Sequence, residues 1–108
     1  MKLKYKDIPA VKQELLVIQD WTCPICLRDL DKLKSRDLCL DHNHVNGKVR
    51  AVLCRSCNAI EGKLYKAFIR YGLRKASINY VKFAYALADY ITYPETDYIH
   101  PKHKEKKK

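Results

Sequence analysis

No apolar stretch in this chain reaches the roughly 20 residues that cross a bilayer. The opening Met1-Lys2-Leu3-Lys4-Tyr5-Lys6-Asp7 is not followed by the apolar core of a secretory signal. No membrane partner is therefore expected, and the sequence predicts a soluble, intracellular protein. Glycine is scarce, at three residues against a hydrophobic content of 47%, which argues for a folded core rather than a disordered basic tail. Acidic residues are also few, 12 against 22 Lys plus Arg, for a formal charge of +10. A compact body with that field repels cationic ligands and attracts polyanions, nucleic acid foremost. The 108 residues and 12.7 kDa exclude a large multi-domain enzyme. A chain of this size buries only about 60–70% of its unfolded surface and often relies on a metal, disulfides or a partner subunit.

Residues 5–20 carry Ile8, Val11, Leu15, Leu16 and Ile18 at spacings mostly near three and four, with Pro9 tolerable in a first turn, and predict an opening helix. From Trp21 to Cys57 the texture changes to Cys, His, Asp and turn residues. Leu38-Cys39-Leu40 and Lys48-Val49-Arg50-Ala51-Val52-Leu53 read as two strands joined at Asn46-Gly47, since both turn residues tolerate positive φ. Ala59 to Tyr71 is helical in pattern, with Ile60, Leu64, Ala67, Phe68 and Tyr71 on one stripe and Gly72 as a stop. A further helix runs from Ser77 as N-cap to about Tyr93, ended by Pro94. Its seam of Ile78, Val81, Ala84, Tyr85, Ala88 and Ile91 fits either an internal core or the interface of a homodimer. Residues 102–108, with five Lys and one Glu, read as a flexible basic tail or a merely solvated end.

Two C-x-x-C pairs, Cys23-Pro24-Ile25-Cys26 and Cys54-Arg55-Ser56-Cys57, are the only repeated element. Four thiolates at about 2.3 Å make a closed tetrahedral zinc site, structural because no position remains for water. A redox motif needs one such pair, and intracellular chains rarely keep disulfides. Zinc binding of order 10–16 kcal/mol offsets the shortage of core. Cys39, left over, reads as a small buried residue.

Between the pairs lies Leu40-Asp41-His42-Asn43-His44. A carboxylate beside imidazoles at a strand end supplies an oxygen ligand for a hard cation and a neutral base, the two requirements of phosphodiester cleavage. Asn58 directly follows Cys57, and Glu61 lies one turn further on. If the hairpin packs on that helix, Asn58 joins Asp41 on one magnesium. The bland alternatives are that Asn58-Ala59-Ile60-Glu61 forms a helix capping box, that Asp41, Asn43 and Asn46 are turn residues, and that a His here is a zinc ligand. Four thiols already saturate the zinc, however, which leaves Asp41, His42, His44 and Asn58 without a structural metal.

In order, Cys23-x-x-Cys26, Leu40-Asp41-His42-x-His44 and Gly47-Lys48-Val49-Arg50-x-x-Leu53-Cys54-x-x-Cys57-Asn58-x-x-Glu61-Gly62 resemble the phage recombination endonuclease VII family, a branch of the HNH or ββα-metal nucleases. The resemblance implies an α+β, mainly α, fold: a zinc-anchored ββα-metal core with an N-terminal helix over residues 1–72, a helical dimerisation segment over 73–100 and a basic tail over 101–108. It also implies a homodimeric, magnesium-dependent endonuclease for branched or distorted DNA, with manganese as an alternative ion. If phage-encoded, it would work in the cytoplasm of an infected bacterial host. By the family motif Asp41 and Asn58 hold magnesium, His42 (alternatively His44) activates water, and Glu61 is an accessory acid. Family members often carry His where this chain has Cys39. Plain duplex nicking is one alternative activity, and non-catalytic nucleic-acid binding is another. Lys48 and Arg50 are expected to alternate to one face of the second strand and grip phosphates, with Lys63, Lys66, Arg70, Arg74 and Lys75 extending the basic surface.

Overall fold

Among the residues that the computed structural model describes, 2–73 and 78–104, there are three α-helices and one two-stranded antiparallel sheet. A 3-10 turn, Tyr5–Asp7, leads into helix α1, Ile8–Ile18. Pro9 sits in its first turn, where its missing N–H would have had no helical partner anyway. The helix closes on a left-handed residue: Asp20 takes φ +53°, its N–H donates to the Val17 carbonyl at 3.1 Å, and Trp21 N–H donates to the Leu16 carbonyl at 2.8 Å. This is the Schellman pattern with aspartate in the usual glycine position. Gln19 then behaves like one residue of an extra strand. Its Nε2 donates to the Val52 carbonyl at 2.7 Å and its Oε1 accepts from Val52 N–H at 3.0 Å, which fastens the end of α1 to the sheet.

The hairpin consists of β1, Leu38–His42, and β2, Val49–Cys54, with Leu38 opposite Cys54, Leu40 opposite Val52 and Asp41 opposite Ala51. His42 then faces Val49, so the register slips by one residue and Arg50 is the extra residue of a β-bulge. Two expectations change here. Lys48 lies in the loop rather than on the strand, and the bulge breaks the alternation that would have put Lys48 and Arg50 on one face. The connection is also longer than a two-residue turn. Asn43 Oδ1 accepts from the N–H groups of Val45 and Asn46 at 2.8 and 3.2 Å, Asn46 Oδ1 accepts from Lys48 N–H at 2.9 Å, and only Gly47 takes positive φ, at +74°. Side-chain oxygens of two asparagines thus shape a loop where the Asn-Gly pair alone suggested a tight turn.

Helix α2, Arg55–Arg70, follows β2 directly. It starts four residues before the expected Ala59 because the second C-x-x-C is itself the first turn: Cys54 is the N-cap, and its Sγ accepts from Cys57 N–H at 3.4 Å. Asn58 therefore stands inside the helix, which excludes the capping-box reading. The inward stripe is also re-phased. Phe68 is buried as expected, but Ile60 and Tyr71 are exposed, because the buried Cys57 sets which face turns inward. Helix α3, Tyr80–Ile91, begins at Asn79, whose Oδ1 accepts from Lys82 N–H at 2.9 Å, and ends two residues before Tyr93. Ser77, the expected cap, lies outside the described residues.

The central core joins Leu16, Cys23, Leu30, Val52, Leu53, Cys54 and Cys57, flanked by Leu15, Trp21, Leu33, Leu38 and Leu40. Three of these seven buried residues are cysteines, so the sulfur cluster is part of the core itself. Phe68 anchors a second contact, with ring centroids 5.5 Å from Tyr80 and 5.3 Å from Phe83, which docks α3 on α2. Part of the α3 seam is left uncovered among the described residues, although Ile78 and Ala84 are half-buried. Val81, Tyr85 and Ile91 are exposed, and the Cα radius of gyration of 18.0 Å exceeds the roughly 13 Å of a compact chain this long. No helix is long and apolar enough to cross a membrane among the described residues.

Candidate metal centre and catalytic cluster

The four ligand sulfurs of Cys23, Cys26, Cys54 and Cys57 lie within 4.8 Å of one another. Cys26 Sγ and Cys54 Sγ are 3.8 Å apart, which matches the edge of about 3.8 Å that a tetrahedron with 2.3 Å zinc–sulfur bonds requires. Each pair is held by local backbone. Leu27, at φ +63°, donates its N–H to the Cys23 carbonyl at 2.9 Å and so tightens the first knuckle. Burial raises the Cys23 thiol, but backbone N–H groups of Cys26, Cys54 and Ile25 outweigh it and draw it down to about 6. Cys57 moves the other way, up to about 12, through burial and the three sulfurs around it. The four cysteines could hold a zinc ion, and they form the only such metal-binding group among the described residues. Cys39 stands apart, opposite Leu53 and half-buried rather than fully buried, and burial raises its thiol.

A second, oxygen- and nitrogen-rich cluster lies where the hairpin meets α2. Asp41 is 7% exposed, the one buried charged residue among those described. Arg50 grips it with both arms of its fork, Nε to Oδ2 at 2.7 Å and Nη2 to Oδ1 at 3.2 Å. The same Nη2 reaches Glu61 Oε1 at 3.2 Å. Hydrogen bonding to Asp41 is the main reason the guanidinium is held above its ordinary value. Glu61 also meets His44, Nε2 to Oε1 at 2.7 Å, and accepts from Tyr80 Oη at Oε2, 2.9 Å. Tyr65 stacks on the His44 ring at 4.2 Å and 8°, and Tyr80 closes the group edge-on, 5.0 Å from Tyr65. Burial, with Glu61 second, raises the Tyr80 phenol, which therefore stays a neutral donor at physiological pH.

Of the residues the sequence singled out, Asp41, His44, Arg50 and Glu61 are joined in one network. His42 is exposed and 6.1 Å from His44 between ring centroids, and no side-chain hydrogen bond fixes it among the described residues. Asn58 is half-buried in the first turns of α2, immediately after a cluster cysteine. Lys63, Lys66 and Arg70 are exposed on the side of α2 roughly opposite Glu61, Tyr65 and Phe68, by the 100° step of the helix. Arg74 and Lys75 lie outside the described residues. Sequence reasoning missed Tyr65 and Tyr80. Spacing of four from Glu61 to Tyr65 was the available signal for the first, and no local signal marks the second, which arrives from another helix.

Asn43, His44, Arg50, Tyr65, Asn79 and Lys82 line an open cavity of about 350 Å³ beside the network. A larger concavity of about 820 Å³, between α1 and the hairpin tip, is walled by Leu3, Val11, Leu15 and Val49 and holds none of these groups. One face of the network is thus an open cavity on which His44 and Arg50 both border, and Arg50 connects it to the buried Asp41. Compared with known proteins, residues 1–95 of the chain match a model of the family described as recombination endonuclease VII.

Proposed function

Because the chain belongs to the recombination endonuclease VII family, we propose that it is a divalent-metal-dependent endonuclease that hydrolyses phosphodiester bonds in branched or distorted DNA. The observation that carries this reading is the His44–Glu61 contact of 2.7 Å beside the buried Asp41. A general base needs a fixed ring and a fixed tautomer. With Nε2–H donating to Glu61 and Tyr65 stacked on the ring, His44 presents Nδ1 as the free base. This moves the role from His42, expected by adjacency to Asp41, to His44. His42 is the second choice, since no hydrogen bond among the described residues orients its exposed ring.

Asp41 and Asn58 are the proposed magnesium ligands. Their hard oxygen donors suit that ion, although the Asp41 carboxylate is compensated by Arg50 in this structure. When bound, magnesium would supply charge neutralisation at the phosphate and at the leaving 3′ oxygen. His44 Nδ1 takes the proton of the attacking water, Glu61 stabilises the imidazolium that results, and the products carry 5′ phosphate and 3′ hydroxyl. Lys82, which lines the cavity beside His44, would contact a phosphate near the reacting bond, and Lys48, which lines the concavity on the α1 side of the hairpin tip, would contact DNA there. Lys63, Lys66 and Arg70 would hold DNA further away. The exposed Val81, Tyr85 and Ile91 favour a homodimer through α3, to be checked by mass measurement at micromolar concentration.

The rival reading, a non-catalytic zinc module that binds nucleic acid, draws on the fact that Asp41 already has a partner in Arg50. Supercoiled plasmid and a synthetic four-way junction, each with and without magnesium, separate the two. We expect Asp41→Ala to be inactive and His44→Ala to lose about 10²–10⁴-fold, with His42→Ala losing less. DNA binding without nicking, or nicking unchanged in Asp41→Ala and His44→Ala, rejects the nuclease.

A further inference from the structure

A carboxylate as buried as Asp41 is costly unless a charge compensates it. Among the described residues the cation within ion-pair distance of it is Arg50. The arrangement is built rather than incidental. The bulge makes Arg50 the unpaired residue of β2 and re-aims its side chain, and the fork then occupies both Asp41 oxygens. Yet the Arg50 side chain remains 39% exposed and lines the cavity beside His44, so it has a route outward to where a phosphate would sit. Guanidinium cannot vacate a carboxylate by losing its proton, so exchange for another anion such as a phosphate is the route that keeps its charge paired.

Resting on the nuclease reading above, we propose that Arg50 is the resident counterion of the metal site and links cation entry to DNA engagement. In the free protein its fork occupies the Asp41 carboxylate and competes with a divalent cation. A DNA phosphate offers the fork an equivalent bidentate partner and draws it outward, which frees the oxygens for the ion. A dication on the same carboxylate would repel the guanidinium at twice the strength of a unit charge, so each arrival favours the other displacement. Metal and DNA therefore bind synergistically, and by linkage each raises the affinity of the other by the same factor. Arg50 thereby becomes a device against idle metal loading in a protein not engaged with its substrate.

The test is Mn²⁺ titration of the full chain, read by loss of the free-ion electron paramagnetic resonance signal. It is run without DNA and with a four-way junction whose backbone linkages resist cleavage. Wild type should bind Mn²⁺ weakly alone and about tenfold or more tighter with the junction. Arg50→Gln should bind Mn²⁺ about tenfold tighter than wild type without DNA, and its gain on adding the junction should fall towards one. Circular dichroism checks that the variant folds. Should it not, Arg50→Lys, which keeps the charge and loses the fork, must shift both quantities in the same direction. Arg50 variants that bind Mn²⁺ no more tightly than wild type, or that keep the full junction effect, overturn the proposal. If Asp41→Ala at the same time abolishes binding, the nuclease reading stands without it. Wild-type Mn²⁺ binding in Asp41→Ala removes both.

Discussion

Glu61→Gln is the sharpest probe of the catalytic cluster, because it keeps the shape of the side chain and changes only what its head can accept. Three donors converge on the Glu61 carboxylate: His44 Nε2 at 2.7 Å, Tyr80 Oη at 2.9 Å and Arg50 Nη2 at 3.2 Å. A glutamine can keep its oxygen at the Oε1 position, facing His44 and Arg50, and turn its NH₂ to Tyr80, whose hydroxyl then accepts, so what the substitution removes is the negative charge. Exchanging hydrogen bonds to a charged acceptor for neutral ones costs about 1–3 kcal/mol in all. The Glu61 side chain is 17% exposed, and partial access of water places the expected loss near the lower end, about 1–2 kcal/mol. For a domain of this size that corresponds to a fall in Tm of about 4–16 °C. The kinetic effect should be larger than the thermal one implies. Without the carboxylate, the imidazolium formed when His44 takes a proton loses the negative charge that stabilises it, while its stacking on Tyr65 persists. A drop in single-turnover nicking of about 10²-fold is expected, within the range for general bases. The His44→Ala, Glu61→Gln double variant should be scarcely worse than His44→Ala alone, since both changes remove one function. A lowered Tm with an unchanged nicking rate would refute the base assignment, and unchanged values of both would refute the cluster.

Zinc removal should unfold the body. The ion's apparent contribution of about 10–16 kcal/mol matches or exceeds the roughly 5–15 kcal/mol net stability of an ordinary domain. Retention of the original cooperative melt, by circular dichroism, after elemental analysis shows the zinc gone would refute this. Tyr80→Phe keeps the ring contacts to Tyr65 and Phe68 but loses the bond to Glu61. About a tenfold loss of nicking rate is expected. Because burial and Glu61 raise the phenol above its ordinary value, the hydroxyl is a neutral donor both below and above neutrality. The ratio of wild-type to variant rate should therefore be flat from pH 6 to pH 9. A ratio that varies with pH across that range would count against a simple donor role.

The parts of this protein that were legible in the sequence are those encoded by neighbours along the chain. The four clustered cysteines declare themselves by two short spacings, the hairpin by strand-like stretches around Asn46-Gly47, and the candidate chemistry by Asp41 and His44 within four residues. What escaped notice depends on events between elements. The start of α2 was hidden because Arg55-Ser56-Cys57-Asn58 reads as a metal-binding loop, although a cysteine sulfur caps it as a helix. Arg50 read as a DNA-facing cation because strict strand alternation was assumed, and a bulge that no local pattern signals turned it onto Asp41. Tyr80 looked like one more residue at the edge of an apolar seam, and only the docking of α3 on Phe68 brings its hydroxyl to Glu61.

The proposed coupling of the cysteine cluster to the candidate catalytic network rests on helix phase, which can be tested without altering any of their side chains. Cys57, Glu61, Tyr65 and Phe68 follow one another at spacings of four, four and three, so they share a single stripe of α2. Cys57 anchors the upper end of that stripe in the sulfur cluster, while Glu61 and Tyr65 meet His44 further down. One alanine inserted between Ala59 and Ile60 leaves all four cysteines in register but turns everything beyond it by about 100° and advances it by about 1.5 Å. Glu61 then points away from His44, and Tyr65 leaves the imidazole face. The insertion variant should keep its zinc and most of its helical signal yet lose nicking by more than about 10²-fold, because the base is no longer held in place. Wild-type nicking by that variant would mean that Glu61 and Tyr65 contribute nothing through their position. The sulfur cluster would then support the hairpin alone and have no part in aligning the base.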